Sequence, residues 1–385
     1  MRRILLTLLP LLLAAGCMHS KNLDEYAYVL NVGVERGTTM PYLVTVLVSA
    51  PQTGGEGTEV KNVVLSAEAR TFSEAVETLN AAYPSRLSFA RTSLLLLSED
   101  LAREGGQTAF LDVSLFKSDV WQNLRMAVTN GAIAETFEGW VSESDPSLRK
   151  IKTSVGELSA RSGLCADTGY SAYTECVRDG RTDALIAYAG VNDWALAEDM
   201  TGSDAYPYLG GSLLVTSTLK TTTAGSAVFD GDRMVGVLDG QHTMAVLMVT
   251  GAFQSGELLL SMPDGQPLSV RLYRVRAPKI TLKGDRATVR LYLEADVLGP
   301  ETVPMQSDEL RAFLKSHLEQ MLSRVFRSLQ AHNSDAMGFG RFAAKRFASA
   351  EAWEAYDWKA VYRLLEADFT AEIKLAHNPR EPILE

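Results

Sequence analysis

The residues of this 385-residue chain that could do chemistry fall into a few short patterns, and the surrounding sequence weakens most of them. Ser147-Leu-Arg-Lys150 has the SxxK spacing in which a lysine can activate a serine for acyl transfer. The SDN and KTG partners that complete such a site are absent. An envelope hydrolase on Ser147 and Lys150 is therefore only a runner-up reading. Gly338-Phe-Gly340-Arg-Phe-Ala343 fits GxGxxA, but a dinucleotide loop must follow a strand and open a helix. Here a long helical pattern and a polar connection come first. Asp230-Gly-Asp232 resembles the start of a calcium loop without its later ligands or closing Glu, and reads as a solvated hairpin turn. His19, His242, His317, His332 and His377 are scattered, with no HExxH and no ligand spacing, so no metal is expected. Glu198-Asp199, Asp308-Glu309 and Glu366 with Asp368 read as solvated helix ends. Cys165 and Cys176 have neither a CxxC partner nor a nearby His. An exported chain could bridge them or leave two buried thiols. There is no GxSxG and no Walker A loop. The expectation is a non-enzymatic protein with no bound cofactor.

Cys17 is different. Arg2 and Arg3 form a positive n-region, Ile4–Leu13 is almost wholly apolar, and Ala14-Ala15-Gly16 precede the cysteine. The apolar run is too short to span a hydrocarbon core, which needs about 20 helical residues, and fits a signal-peptide h-region. Cysteine after Ala-Ala-Gly resembles the lipobox of bacterial lipoproteins, although position −3, usually Leu, is Ala14 with Leu13 one place further out. That resemblance implies a diacylglyceryl group on the Cys17 thiol and an N-acyl chain, the double lipidation that stable anchoring requires. An ordinary signal peptide with a chance cysteine is the alternative.

Loss of Met1–Gly16 would leave 369 residues and, with Arg2 and Arg3 gone, move the net charge from −10 to about −12. That length suits two or three domains. No later segment has 18 uninterrupted apolar residues, so no second anchor is expected. An acidic body without an evident basic cluster argues against nucleic acid and against electrostatic adhesion to anionic lipid. The expected membrane contact is the lipid alone.

The elements that must position these residues alternate between strand and helix patterns. Tyr26–Val34 and Tyr42–Ser49 read as paired strands, and Gln52–Thr58 as a flexible loop. A helix over Glu74–Ala82 can be capped by Thr71 or Ser73. Ser93–Leu97 is a continuous apolar strand, which predicts a sheet covered on both faces. Helices over Asp100–Glu104, Thr108–Phe116, Ala132–Trp140, Leu148–Ala160 and Tyr170–Val177 alternate with strands over Leu124–Thr129 and Ala184–Tyr188. After an irregular Asp193–Tyr208, strands are expected over Ser212–Thr218, Gly225–Phe229 and Met234–Leu238. A helix over Gln241–Val249 and strands near Leu258–Met262 and Leu268–Val275 follow. Lys279–Leu282 and Ala287–Val297 form a hairpin about Gly284-Asp285. Ser307, as cap, opens the longest helix, to Gln330, with Leu310, Leu314, Leu318, Met321, Leu322, Val325 and Leu329 as its apolar stripe. Asp335–Gly340 is a tight connection, Trp353–Leu365 another helix, and Phe369–Leu375 a closing strand. The expected fold is α+β. Residues 1–16 are a signal peptide and 17–22 a lipidated tether. An N-terminal mixed α/β domain over 23–195, a β-rich middle domain over 205–277 and a β-β-α-α-β domain over 278–378 follow, each a small sheet packed with helices.

Four blocks in order behind Cys17 carry a family likeness. Tyr26–Gly37 (YAYVLNVGVERG), Phe89–Ala102 (FARTSLLLLSEDLA) after Phe72–Leu79, Ala227–Leu238 (AVFDGDRMVGVL), and Asp335–Gly340 (DAMGFG) with Trp353 and Trp358 resemble the GerAC, or Ger(x)C, family of spore germination lipoproteins. The family commonly has a histidine near the position of Arg91, a small departure. The resemblance implies three mixed α/β domains. It also implies the C subunit of a nutrient germinant receptor on the outer face of the spore inner membrane, beside a membrane-embedded A subunit and a transporter-like B subunit. It carries over no catalytic residue, and Cys165 and Cys176 are not part of its pattern. Read physically, Gly338 and Gly340 let the chain turn tightly, Phe339 plugs an interface, and Trp353 and Trp358 anchor a core. A lipid-anchored protein that captures the germinant itself is the alternative, and would require a cleft with converging polar groups.

Overall fold

The computed structural model describes residues 26–52, 59–115, 124–142, 155, 159–193, 208–215, 221–300, 303 and 305–376. Strand β1 (Tyr26–Arg36) pairs antiparallel with β2 (Tyr42–Gln52), and β2 with β3 (Glu59–Ala69). β3 is not apparent in the sequence because Lys61, Asn62, Ser66 and Glu68 dilute its apolar alternation. Helix α1 (Phe72–Ala82) starts at Thr71, whose hydroxyl accepts from Glu74 N, and buries Phe72, Ala75 and Leu79. Strands β4 (Arg86–Ser88) and β5 (Leu94–Ser98) lie parallel to successive parts of β1. Helices α2 (Glu99–Glu104) and α3 (Gln107–Leu115) lead to β6 (Arg125–Thr129). Helices α4 (Ile133–Ser142) and α5 (Tyr170–Asp179) lead to β7 (Leu185–Val191). Strands β8 (Thr221–Asp230) and β9 (Arg233–Leu238) close the sheet as an antiparallel hairpin.

The resulting order is β3-β2-β1-β5-β6-β7-β8-β9, with β4 beside β1. Its centre is parallel, and parallel strands need cover on both faces. β5 meets that need residue by residue. Leu95 and Leu97 join a core with Phe72, Leu79, Leu101 and Tyr173, while Leu94 and Leu96 join another with Ile133, Phe137 and Cys165.

Helix α6 (Gly240–Thr250), capped by Asp239, is buried on nearly every side and packs against β8 of the first sheet and elements of the second. The second sheet contains β10 (Ser255–Ser261), β11 (Pro267–Arg274), β12 (Lys279–Lys283), β13 (Arg286–Gly299) and β14 (Glu366–Leu375). Their order is β10-β11-β13-β12, with β14 parallel along β13. Helix α7 (Ser307–Ala331) covers one face, and its seven predicted stripe residues are all buried, with Phe326 added. Its cap is Gln306 rather than Ser307, because Gln306 and Glu309 form a reciprocal capping box. Short helices α8 (Gly340–Ala344), α9 (Ala350–Glu354) and α10 (Trp358–Tyr362) follow. The single helix expected over Trp353–Leu365 breaks at residues 355–357, where Asp357 caps α10 through Ala360 N.

Helices packed on mixed sheets are as the strand and helix order predicts. The strands of residues 205–277 do not make a sheet of their own, however. β8 and β9 extend the first sheet, and β10 and β11 open the second. The reason lies in β8, whose Ala224–Phe229 are buried in succession, as an internal strand requires. Residues 212–215, expected to begin a strand, are irregular. Phe326 meets Phe339, Tyr362 and Phe369 edge to face, with centroids 5.6, 6.0 and 5.9 Å away. Phe326→Ala is expected to cost about 3–5 kcal/mol, read by urea unfolding.

Candidate functional site at the junction of the two sheets

The six motif residues singled out in the sequence converge between the sheets. Asp335 is fully buried. Its Oδ1 accepts from Phe339 N (2.9 Å), and its Oδ2 from Gly340 N (2.7 Å) and the Trp358 indole N–H (3.0 Å). Gly338 holds φ at +78°, a region open to glycine at little cost. Gly340 is required for another reason. A Cβ there would lie 2.2 Å from Arg181 O and 2.6 Å from Trp358 Nε1. Phe339 is fully buried against Phe326, and Trp353 donates from Nε1 to Asp179 O (3.2 Å). Trp353 and Trp358 are buried with ring centroids 6.2 Å apart.

Across the junction, Asp335 N donates to Asp183 Oδ2 (2.6 Å) and Asp183 N to Asp335 O (3.3 Å). Asp183 lies two residues before the start of β7, and its Oδ1 accepts from Gly231 N (2.9 Å) in the β8–β9 turn. Lys359 Nζ, from α10, donates to Asp183 Oδ2 (2.5 Å), Asp230 Oδ1 (2.7 Å) and Asn333 O (2.8 Å). That uses all three ammonium hydrogens. Asn333, in the left-handed region at φ 55°, donates from Nδ2 to Asp230 Oδ2 (2.9 Å). Asp183, Asn333 and Lys359 were not marked by the sequence, and Asp230 was marked only as part of a hairpin turn. Lys359 is 129 residues from Asp230, and no spacing rule links them. The Asp230-Gly-Asp232 turn is a hairpin as expected, but its carboxylates are engaged rather than solvated, since Asp232 accepts from Gly106 N (3.0 Å).

Burial pushes the Asp335 carboxyl up to about 7, with the Asp183 charge adding to the rise, while the Gly340, Phe339 and Trp358 N–H groups work downward. Both of its oxygens already accept within the fold, so the geometry presents a structural acceptor and not a base aimed at a substrate.

A cleft of about 420 Å³ opens beside this junction, lined by Asp167, Thr168, Cys176, Thr250, Gln254 and Arg341 among others. Asp167 pairs with Arg125 at 2.7 Å, and burial raises its carboxyl. Burial also raises the Cys176 thiol, which keeps it protonated and a poor nucleophile. The bridge entertained between Cys165 and Cys176 does not form, and both are free. Cys165 packs on the Leu94/Leu96 face of the first sheet, and Cys176 against the opposite core. Burial pushes the Cys165 thiol up to about 12. His242 pairs with Asp239 at 2.7 Å. Among the described residues, no group of three His, Cys, Asp or Glu is placed to hold a metal. Cys17, Ser147, Lys150, Glu198-Asp199, His19 and His377 lie outside the described residues.

Three outcomes are expected. Gly340→Ala destabilises by about 1–3 kcal/mol in denaturant unfolding, because the Arg181 carbonyl and Trp358 ring must both shift. Thiol titration of the denatured, unreduced chain finds Cys165 and Cys176 both reactive. For pH, the raised Asp335 carboxyl contributes stability that is fully present below about pH 4 and is lost as pH rises through about 7. Asp335→Asn, which cannot ionise, removes that decline from the pH profile of unfolding, at the cost of one donor–acceptor match with Phe339 N.

Two family models match the chain: the spore germination protein N-terminal domain over residues 19–164, and the spore germination B3/GerAC-like C-terminal domain over residues 224–378. The curated spore germination protein KC of Bacillus subtilis (strain 168) is 29% identical over 114 residues, an alignment spanning 28% of each chain. The crystal structure of the GerBC protein superposes with a TM-score of 0.54 at 13% identity, covering 90% of this chain and 97% of that one, which is a likeness of fold. With both halves matched in order around the Asp335 junction, the chain belongs to the GerAC family of spore germination proteins.

Proposed function

We propose that this chain is the C subunit of a nutrient germinant receptor, a non-enzymatic lipoprotein held by Cys17 on the outer face of the spore inner membrane. It acts there beside a membrane-embedded A subunit and a transporter-like B subunit. The observation that carries the reading is the pair of family models, which together cover β1–β6 of the first sheet, its closing strand β9 and the whole of the second sheet. The Asp335 motif supports it, because its residues serve the packing of the fold and leave no group free for chemistry. No helix among the described residues is long and apolar enough to cross a membrane, and the reading puts the attachment at the lipid on Cys17. A lipid tether keeps the body at high local concentration beside its membrane partners.

The cleft at Arg341 favours a second reading, in which the subunit also captures the nutrient. A nutrient that triggers wild-type spores would then raise the melting temperature of the wild-type chain and not of Arg341→Ala.

The main reading is tested by dipicolinic acid release from spores carrying the wild-type gene, a deletion or Cys17→Ala. The deletion is expected to lose the response to nutrients and keep the response to a non-nutrient trigger, and Cys17→Ala to share the defect. A normal nutrient response in the deletion, with no second receptor present, contradicts the proposal.

A further inference from the structure

Seven basic residues and one acid, Asp285, occupy Arg271–Arg290 in a chain whose net charge is −10. Spread through sequence they do not read as a cluster, but strand register gathers them. β12 and β13 pair Lys279 with Arg290, Thr281 with Thr288, and Lys283 with Arg286. These six positions are exposed, whereas the intervening Ala287 and Val289 are buried in the core that α7 covers. On the same outer face the Arg276 guanidinium lies 3.5 Å above the Tyr292 ring. Arg286 and Arg290 share carboxylates of β14, Asp368 at 2.7 Å and Glu372 at 3.7 Å. Among the described residues, Arg276, Lys279 and Lys283 have no carboxylate partner, and Arg346 donates to Leu282 O at the edge of β12. Tyr273 and Leu298 of the same sheet, and Val275 just past the end of β11, are three of the six exposed large hydrophobics among the described residues, at 39%, 44% and 58% exposure.

We infer that this outer face of β11, β12 and β13 docks on an anionic bilayer surface. Charge complementarity selects the occupant: the cations are spread flat over strands and are interleaved with apolar side chains, the composition of an interfacial surface rather than of a pocket. The β14 carboxylates lie about 10 Å from β12, two strand spacings away, and Glu294 and Asp296 of the same outer face lie further along β13, opposite Tyr273 and Arg271 of β11, so the body tilts with β12 leading. The acidic remainder is repelled, which favours this orientation. The inference rests on the tether reading, in which Cys17 is nine residues before β1 and holds the body within about 30 Å of the lipid. At that range, gains of about fivefold per cation are enough to choose a face.

The test uses the full lipidated chain on vesicles of phosphatidylcholine with or without phosphatidylglycerol. Lysines are footprinted with a succinimidyl acetate reagent and read by mass spectrometry. The chain is expected to float with both vesicles. Labelling of Lys279 and Lys283 slows about fivefold or more on the anionic vesicles only, relative to Lys374 on β14, and high salt restores it. Equal labelling on both vesicles overturns the proposal and leaves the face to an acidic protein. Equal protection on both removes charge as the agent and overturns it too. Failure to float with either sinks the tether reading, and the proposal with it.

Discussion

One ammonium group ties the two sheets of this protein together. Lys359 reaches from α10 to Asp183 before β7 and Asp230 at the end of β8, and Asp183 in turn receives the backbone N–H of Asp335. The Lys359 side chain is 28% exposed and that of Asp183 4%, so the pair is largely withdrawn from water. A charge in such a place is costly unless every donor and acceptor is matched. Here the match is supplied by the turn at Asn333–Gly340, and the turn's glycines, aromatic rings and carboxylate each follow from that requirement.

The apolar cores conform to the same constraint. Leu185, Val228 and Leu238 of the first sheet belong to one buried cluster with α6, α7 and the strands of the second. Helix α6 is apolar on all sides because it has a sheet to either side of it. The junction thus lies at the rim of a continuous core, and the two sheets are expected to move as one body. Under the proposed receptor role, rigidity of that kind would let contact at one face be felt at another without any chemistry in between.

Much of this was legible in sequence where local rules suffice. The α7 stripe, the hairpin at Gly284-Asp285, the buried run Leu94–Leu97 and the Asp335–Gly340 turn were all signalled by period, turn residues or capping chemistry. The motif residues were found, and their structural role was foreseen for Phe339, Trp353 and Trp358. Long-range pairing was not legible. Lys359 looks like any helix-surface lysine, and Asp183 and Asp230 like turn acids, until the fold brings them together. β3 was hidden by its polar positions, and the break before Trp358 by a helical pattern that Asp357 interrupts. The basic face was hidden for the same reason as the junction, since cross-strand register cannot be read from spacing along one strand.

The measurement that bears most directly on the account is calorimetric unfolding of the full chain beside Lys359→Met. If the ion cluster joins the sheets into one cooperative body, the wild type unfolds in a single transition. The variant, left with the Asp183 and Asp230 carboxylates without a cation between them, then unfolds earlier and in two separate steps. A variant that melts in one transition at the wild-type temperature would contradict that claim.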